Sequence, residues 1–388
     1  MIELTQSAVA RRAGEFSRPT ASSDDTADRD ARMIWSILME PGDGVAGALI
    51  ATYGARAALE LALGADTPAA VARELAEGRK RWLPRTADIE PAVAAASRAE
   101  VEVVTPADSD WPHRLDDLGM HAPACLWVRG NRTALSVGGR HVSIVGARAA
   151  TSYGQYVVGD LVGAVSASDI VVHSGGAYGI DGMAHEATLA VGGLTVAWLA
   201  GGVDRPYPAG HRDLLRRVAE QGGAVVSDVA CGSAPTKWRF LARNRLIAAA
   251  GDAVVVVEAG WRSGSLNTAA HAAQLGRPLG AVPGPVTSPA SAGCHRLMRE
   301  YDAQCVTNGE EIRELLGVSE PRHEPRAVAP SAEQNRTLDA LSTRVPRAAD
   351  EIARRSGQSV ATVQALLGLL QLEGRAERSE AGWRARHR

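Results

Sequence analysis

Short runs of consecutive apolar residues recur from about Cys125 onward, and each is followed by a glycine-containing turn and a stretch with helical spacing. The predicted strands are HVSIVG, DIVVHS, LTVAWLA, GAVVSD, DAVVVVEA and PLGAVPG. Buried strands that alternate with helices are typical of a parallel sheet covered on both faces. We therefore predict an α/β fold with a doubly wound parallel sheet, over residues 106–317.

The pattern before this region is different. Residues 14–30 are polar and poor in apolar positions, so residues 1–30 are predicted to be a flexible extension. Residues 31–105 are rich in alanine, with leucine and isoleucine at spacings of three and four, which predicts a small helical domain. Its Pro-Gly-Asp-Gly turn at 41–44 fits a helix-hairpin-helix (SAM-like) element that offers N–H groups to a phosphate, or a plain turn in a helical bundle.

The segment after the predicted sheet is rich in proline and charge over residues 318–331 and is predicted to be a linker. Residues 332–388 have the pattern of a winged helix, with helices near 348–355 and 359–372 and a β wing from Gly374 to about Trp383. The second helix of such a domain often enters the major groove of DNA. Here it carries no lysine or arginine, so a protein-contact or dimer-closing module is an equal alternative.

Composition limits the classes of function. The chain has 388 residues and a net charge of -2, so any basic surface must be local. Its four cysteines form no CxxC pair, and we predict neither a disulfide nor a metal site nor a cofactor. Without a signal-peptide pattern or an apolar run of roughly 18 residues, we expect a cytoplasmic protein with no membrane partner.

Ligands of doubly wound sheets bind beyond the carboxyl ends of the strands, so the loops there are the candidate sites. In GARAATSYG, Gly146 permits a close backbone approach and Arg148 offers a planar cation to phosphate oxygens. The phosphate could belong to a dinucleotide, a mononucleotide or a nucleic acid, or Arg148 could form a surface salt bridge. Thr151 and Ser152 are candidate helix caps or further donors.

The loop SGGAYGID follows the second strand of the predicted sheet and precedes a helix, as in an anion-binding turn. Its glycines are Gly175, Gly176 and Gly179. Asp181 and His185 are four residues apart, and we predict that they form a hydrogen-bonded structural pair rather than a metal site.

Basic and aromatic residues alternate in PTKWRFLARNR, which includes Lys237, one of only two lysines, and Phe240. Such interleaving suits single-stranded nucleic acid, because cations meet phosphates and rings stack on unpaired bases. The alternative is a solvated basic helix face with Phe240 in the core. Farther on, the strand that ends at Glu258 leads into WRSGSL, whose small residues either donate to a phosphate or cap a helix.

Taken together and in order, these loops resemble the DNA-processing protein A family (DprA, also called Smf). The family strings GxRxxTxYG, SGxAxGID, VDxxYP, RNRxIA, VVVVEA with SGSL, and AVPG all have counterparts here, between about Asp108 and Leu316. Tyr178 stands where family members often carry arginine, so the resemblance implies one phosphate contact fewer.

The resemblance implies an extended Rossmann-like domain that binds single-stranded DNA as a homodimer and no enzymatic activity. The protein would protect incoming DNA and load recombinase A onto it, in natural transformation or general recombination, with single-strand-binding protein as a further partner. The implied DNA-binding residues are Gly146, Arg148, Gly175, Gly176, Gly179, Lys237, Phe240, Arg243, Asn244, Arg245, Ser263, Gly264 and Ser265.

Two other functions remain as alternatives. Nucleotide phosphoribohydrolases have a related Rossmann-like fold, but their PGGxGTxxE string is missing and Glu258 is a lone carboxylate at a strand end. A nucleotide-sensing regulator with the winged helix as its output is the third.

Overall fold

The computed structural model describes residues 23–65, 67–137, 139–166, 169–318, 331–372, 374–379 and 381–386. They belong to two compact units, which divide after Val318. Residues 1–22 of the predicted extension, and residues 319–330 of the predicted linker, lie outside the described residues.

A nine-stranded sheet is the centre of the first unit, in the order β1-β2-β6-β5-β4-β3-β7-β8-β9. All neighbours from β6 to β9 in this order are parallel, whereas β1 and β2 form an antiparallel edge next to β6. The strands are β1 Glu102–Val104, β2 Leu126–Gly130, β3 Arg140–Val145, β4 Ile170–Ser174, β5 Thr195–Trp198, β6 Ala224–Ser227, β7 Ala253–Val256, β8 Leu279–Ala281 and β9 Gln304–Cys305. This confirms the doubly wound α/β fold and all six predicted strands.

The direction of winding reverses between β3 and β7. From β3 the chain adds β4, β5 and β6 on one side, and it then returns to add β7, β8 and β9 on the other. Loops that leave β3 and β7 therefore diverge and open a crevice at the carboxyl end of the sheet, where ligands of such folds bind.

Helices cover the sheet and form the N-terminal part of the first unit. They are α1 Ser23–Leu38, α2 Gly44–Tyr53, α3 Ala55–Leu63, α4 Ala72–Trp82, α5 Ile89–Arg98, α6 Ser152–Ser166, α7 Ile180–Ala190, α8 Arg212–Glu220, α9 Lys237–Ala250, α10 Ser265–Gln274, α11 Ala292–Glu300 and α12 Gly309–Leu315. Shorter 3-10 segments occur at Ala69–Val71, Leu83–Asp88, His113–His121, Arg132–Leu135 and Ala209–His211.

The polar stretch before residue 31 differs from its prediction, because α1 begins at Ser23. Arg29 is held by Asp108 at 2.5 Å and by the Val103 carbonyl, so long-range contacts order a segment that has few apolar residues. The helical part is not a separate body either. It shares one buried cluster with the sheet, in which Trp127 donates to Ser36.

The Pro-Gly-Asp-Gly turn forms hydrogen bonds with other groups of the protein. Asp43 caps α2 by accepting from the N–H groups of Val45 and Ala46, and the Gly42 carbonyl bonds to His121. Of the two alternatives, the structure supports the plain turn, since the N–H groups of Val45 and Ala46 and the carbonyl of Gly42 already have partners within the protein.

The second unit contains α13 Ala332–Ala340, α14 Ala349–Ser356, α15 Val360–Leu372, β10 Ala376–Ser379 and β11 Gly382–Ala385. Ile352, Val363 and Leu367 are buried in its own core, and β10 pairs antiparallel with β11 as a wing. The predicted helices and wing of the winged helix are confirmed.

Candidate nucleic-acid interface

An open pocket of about 510 Å³ lies at the carboxyl end of the sheet, where the winding reverses. It is built from the loops after β3, β4 and β7 and from one face of α9. Its lining residues are Val145, Gly146, Ala147, Arg148, Ala177, Asp181, Phe240, Leu241, Arg243, Asn244, Ile247, Gly260, Arg262, Ser263, Gly264, Ser265 and Thr268.

The loops after β3 and β4 pack directly on each other, and two glycines make this contact sterically feasible. Gly179 has φ +79°, and a Cβ there would lie 2.2 Å from the Ala147 carbonyl oxygen. A Cβ on Gly146 would lie 2.6 Å from the Ile180 side chain. Gly146 lines the pocket, whereas Gly179 is not among its lining residues and packs against the backbone of Ala147 and Arg148.

Arg148 and Phe240 meet at the edge of this pocket. The Arg148 guanidinium carbon lies 5.1 Å from the centroid of the Phe240 ring, a cation–π distance. Tyr207, from the VDRPYP loop, lies 5.7 Å from the same ring. Phe240 is half-buried rather than part of the core, so its ring is accessible from the groove.

A second opening of about 460 Å³ adjoins the first and is lined by Arg148, Tyr207, Phe240 and the N-terminal turn of α9. Lys237 lies here and is exposed. Thr236 caps α9 by accepting from the Arg239 N–H at 3.2 Å. The two openings form a continuous groove that shares Arg148 and Phe240.

Three cations of the groove are available to a ligand. Arg148, Lys237 and Arg262 are exposed and form no ion pair within the described part of the chain. Arg262 is not among the residues predicted from the sequence, where only the serines and the glycine of WRSGSL are candidate phosphate donors. Its signal was the cation directly before that turn.

Arg243 is buried and has a different task. Its Nη1 donates to the carbonyl oxygens of Gly175, at 2.6 Å, and Trp198. Burial lowers its pKa to about 10, although nearby Asp181 acts in the opposite direction. Arg243 thus fixes the loop after β4 and contributes charge from beneath the pocket.

Asp181 and His185 do not bond to each other, so the predicted pair is wrong. Asp181 accepts from the backbone N–H groups of Gly146, Gly175 and Ala177, in the loops after β3 and β4, and burial raises the pKa of its carboxyl. His185 bonds instead through Nδ1 to Thr195 Oγ1 at 2.7 Å. Both are structural, because each is buried with a partner in a different element.

Arg245 lies away from the pocket. Its guanidinium is buried, 2.7 Å from Asp228, and also donates to the His121 carbonyl. It therefore joins the sheet to the segment before β2 rather than lining the groove.

Trp238 and Phe240 leave α9 on different sides. Residues two apart on a helix are separated by about 200°. Trp238 is 65% exposed and lines none of the groove. Arg239, between them, pairs with Glu40 at 2.7 Å. Of these three residues, only Phe240 lines the groove.

The turn before α10 forms the far wall. The hydroxyls of Ser263 and Ser265 bond to each other at 2.7 Å, and Asn244 donates to the Gly264 carbonyl. The N-terminus of a helix carries partial positive charge, so this wall favours an anion. Gly175 lines an adjoining cleft, whereas Gly176 lines none of these cavities and accepts from His211.

The N-terminus of α6 is already occupied. Glu258, which is buried, accepts from Thr151 N at 2.9 Å and from Thr151 Oγ1 at 2.6 Å. Thr151 also caps the Gly154 N–H, as predicted. A phosphate in the groove would therefore meet the Arg148 side chain, not the first turn of this helix, and Glu258 is a structural carboxylate.

Within the described residues, no cluster of His, Cys, Asp and Glu has the arrangement of a metal site. None of the helices described is long and apolar enough to span a bilayer.

Two family models match the chain. The model for DNA recombination-mediator protein A matches residues 102–317, and that for the DprA winged helix domain matches residues 321–382. The DNA processing protein DprA of Mycobacterium tuberculosis is 43% identical in an alignment of 333 positions, and the match covers 81% of this chain and 84% of that protein. The Bacillus subtilis DprA is 35% identical over 58% of this chain and 75% of its own length.

Two solved structures of DNA processing protein A also match the chain. That of DprA from Streptococcus pneumoniae has a TM-score of 0.60 and 28% identity, and the match covers 76% of this chain and all but 1% of that one. That of Helicobacter pylori DNA processing protein A has a TM-score of 0.51 and 27% identity over 57% of this chain and 97% of that one, and its subject is the binding mode of single-stranded DNA. The chain belongs to the DNA recombination-mediator protein A (DprA) family.

Proposed function

We propose that the groove between β3, β7 and α9 binds single-stranded DNA. The observation that carries this proposal is the position of Arg148, an unpaired cation against the accessible ring of Phe240. Arg148 binds the phosphate of a nucleotide and Phe240 stacks on its base, so two adjacent side chains bind one nucleotide.

The geometry favours a single strand over a duplex. Phe240 is half-buried between Arg148 and Tyr207, so a base reaches its face only when it is free of its own pairing and stacking partners. Charge favours a polyanionic ligand, because the one acidic residue among those lining the groove is Asp181, whose carboxylate is already bonded to backbone N–H groups. The α15 helix of the winged-helix unit has no basic residue that would read a major groove.

The experiment is a fluorescence anisotropy titration of labelled single-stranded and duplex oligonucleotides, with wild type, Arg148→Ala and Arg56→Ala. Arg56 is the matched control, since it is an exposed arginine that pairs with Glu60 on α3. We expect wild type and Arg56→Ala to prefer the single strand, and Arg148→Ala to lose about tenfold or more in affinity. Equal binding by all three proteins would contradict the proposed groove.

We further propose that the protein acts as a homodimer that protects DNA and loads recombinase A onto it, including DNA covered by single-strand-binding protein. The family membership supports this role. A strand-exchange assay with recombinase A on covered DNA tests it: the wild type should shorten the lag and Arg148→Ala should not. Sedimentation tests the dimer. A lag that the wild type leaves unchanged would refute the loading role.

A further inference from the structure

Trp261 is an exposed tryptophan at the rim of the groove. It stands between Gly260 and Arg262, which both line the pocket, and 58% of its side chain is exposed. One face of its indole is covered by Arg296 of α11, whose guanidinium carbon is 5.2 Å from the ring centroid.

This arrangement is held by further contacts. The Arg296 guanidinium also lies 5.9 Å from the Tyr301 ring, and its Nε pairs with Glu300 at 2.7 Å. The cation is therefore anchored on α11, which positions the indole without covering its second face. The exposed fraction of Trp261 leaves that face open to a ligand.

An exposed indole backed by a cation and followed by an unpaired arginine has the chemistry of a base-stacking site. Bases stack on aromatic rings in a way that tolerates any sequence, and neighbouring cations meet the phosphates. Arg262 is the cation at hand, and it faces the same pocket as Phe240.

We propose that Trp261 is a second base-stacking site of this groove, so that the strand runs from Phe240 across Arg262 to Trp261. This inference rests on the proposed function. It adds a direction to the DNA path, toward α11 rather than toward the N-terminal helices.

The test compares binding of a labelled oligothymidylate of 20 nucleotides by wild type, Trp261→Ala, Trp261→Phe and Trp238→Ala. Trp238 is the matched control, since it is exposed to a similar extent but lies outside the groove. Trp261→Ala should weaken binding roughly five- to twentyfold, and Trp261→Phe should restore most of the affinity because a ring remains. Trp238→Ala should bind like wild type. Thermal melting confirms that each variant is folded.

Photo-crosslinking supplies a second readout. Oligonucleotides with one 5-iodouracil should crosslink to Trp261 in the wild type, with the substituted position displaced along the strand from the one that reaches Phe240. If Trp261→Ala binds like wild type, or loses no more affinity than Trp238→Ala, the second site is refuted. If Arg148→Ala still loses affinity in that case, the proposed groove is retained and only the second stacking site is refuted. A wild type that binds no single strand overturns both.

Discussion

The guanidinium of Arg148 lies 5.1 Å from the centre of the Phe240 ring, although the two residues come from different elements, the loop after β3 and the helix α9. In the proposed groove, Arg148 is the cation for a phosphate and Phe240 the ring for its base.

The first prediction is that these two side chains act as a unit. Arg148→Ala and Phe240→Ala should each weaken single-strand binding by about 1–3 kcal/mol, and the double variant should lose less than the sum by at least about 0.5 kcal/mol. The reason is that each residue orders the other. Anisotropy titrations of the four proteins measure the coupling. Strict additivity would show that the residues act separately.

The second prediction concerns the free cations Lys237 and Arg262. Each contact with a phosphate releases counterions, so affinity falls with salt, and Lys237→Ala and Arg262→Ala should each make the negative slope of log affinity against log salt shallower by about 0.7. Lys80→Ala is the control, since Lys80 is the only other lysine and pairs with Glu77 on α4. A slope that stays at the wild-type value in either groove variant would remove that residue from the DNA path.

The basic residues of α9 show why part of the site could not be predicted. Lys237 and Arg245 look alike in the sequence, but Arg245 faces Asp228 and the segment before β2, which are distant in sequence. Which side of α9 faces the groove is decided by that packing. The loops after β3, β4 and β7 were predictable because the strand runs fix where each carboxyl end lies.

The two edge strands of the sheet could not be predicted from the sequence either. β1 has three residues and includes Glu102, and β9 has two, so neither carries the apolar run by which the six predicted strands, β3 to β8, are recognised. These edge strands form because a neighbouring strand offers hydrogen-bonding groups, which a local pattern does not report. The order of the α1 helix before residue 31 likewise depends on Arg29 meeting Asp108.

The third prediction tests whether Glu258 is a structural group or a catalytic one. Glu258→Ala should lower the free energy of unfolding by about 2–3 kcal/mol, because two Thr151 donors lose a buried charged acceptor. Glu258→Gln should cost less, since an amide oxygen still accepts. Urea unfolding measures both, with Glu186→Ala, at an exposed position of α7, as the control. Unchanged stability, together with release of free base from a nucleoside monophosphate by wild type alone, would favour the hydrolase.

The fourth prediction concerns acid stability. Burial lowers the pKa of His185 to about 3, whereas the unfolded chain takes up that proton near pH 6.5. Below pH 6.5 the unfolded state therefore binds more protons at this group, and the stability that neutral His185 provides above that pH is lost as the pH falls. Between pH 6.5 and 5, His185→Gln should show a shallower fall in unfolding free energy than wild type, by up to about 1.4 kcal/mol per pH unit.

Denaturant midpoints across this range measure the difference. Thr52→Ala, at an exposed position of α2, is the control, because it removes no titratable group. If His185→Gln follows the wild-type slope, His185 takes up its proton in the folded state as readily as in the unfolded chain.

The central claim is most directly tested by determining the structure of the protein with a short oligothymidylate. We predict a base on the Phe240 ring, a phosphate within hydrogen-bond distance of the Arg148 guanidinium, and the strand within reach of Lys237 and Arg262. A strand bound elsewhere, with the groove empty and Arg148 still resting on Phe240, would contradict the account.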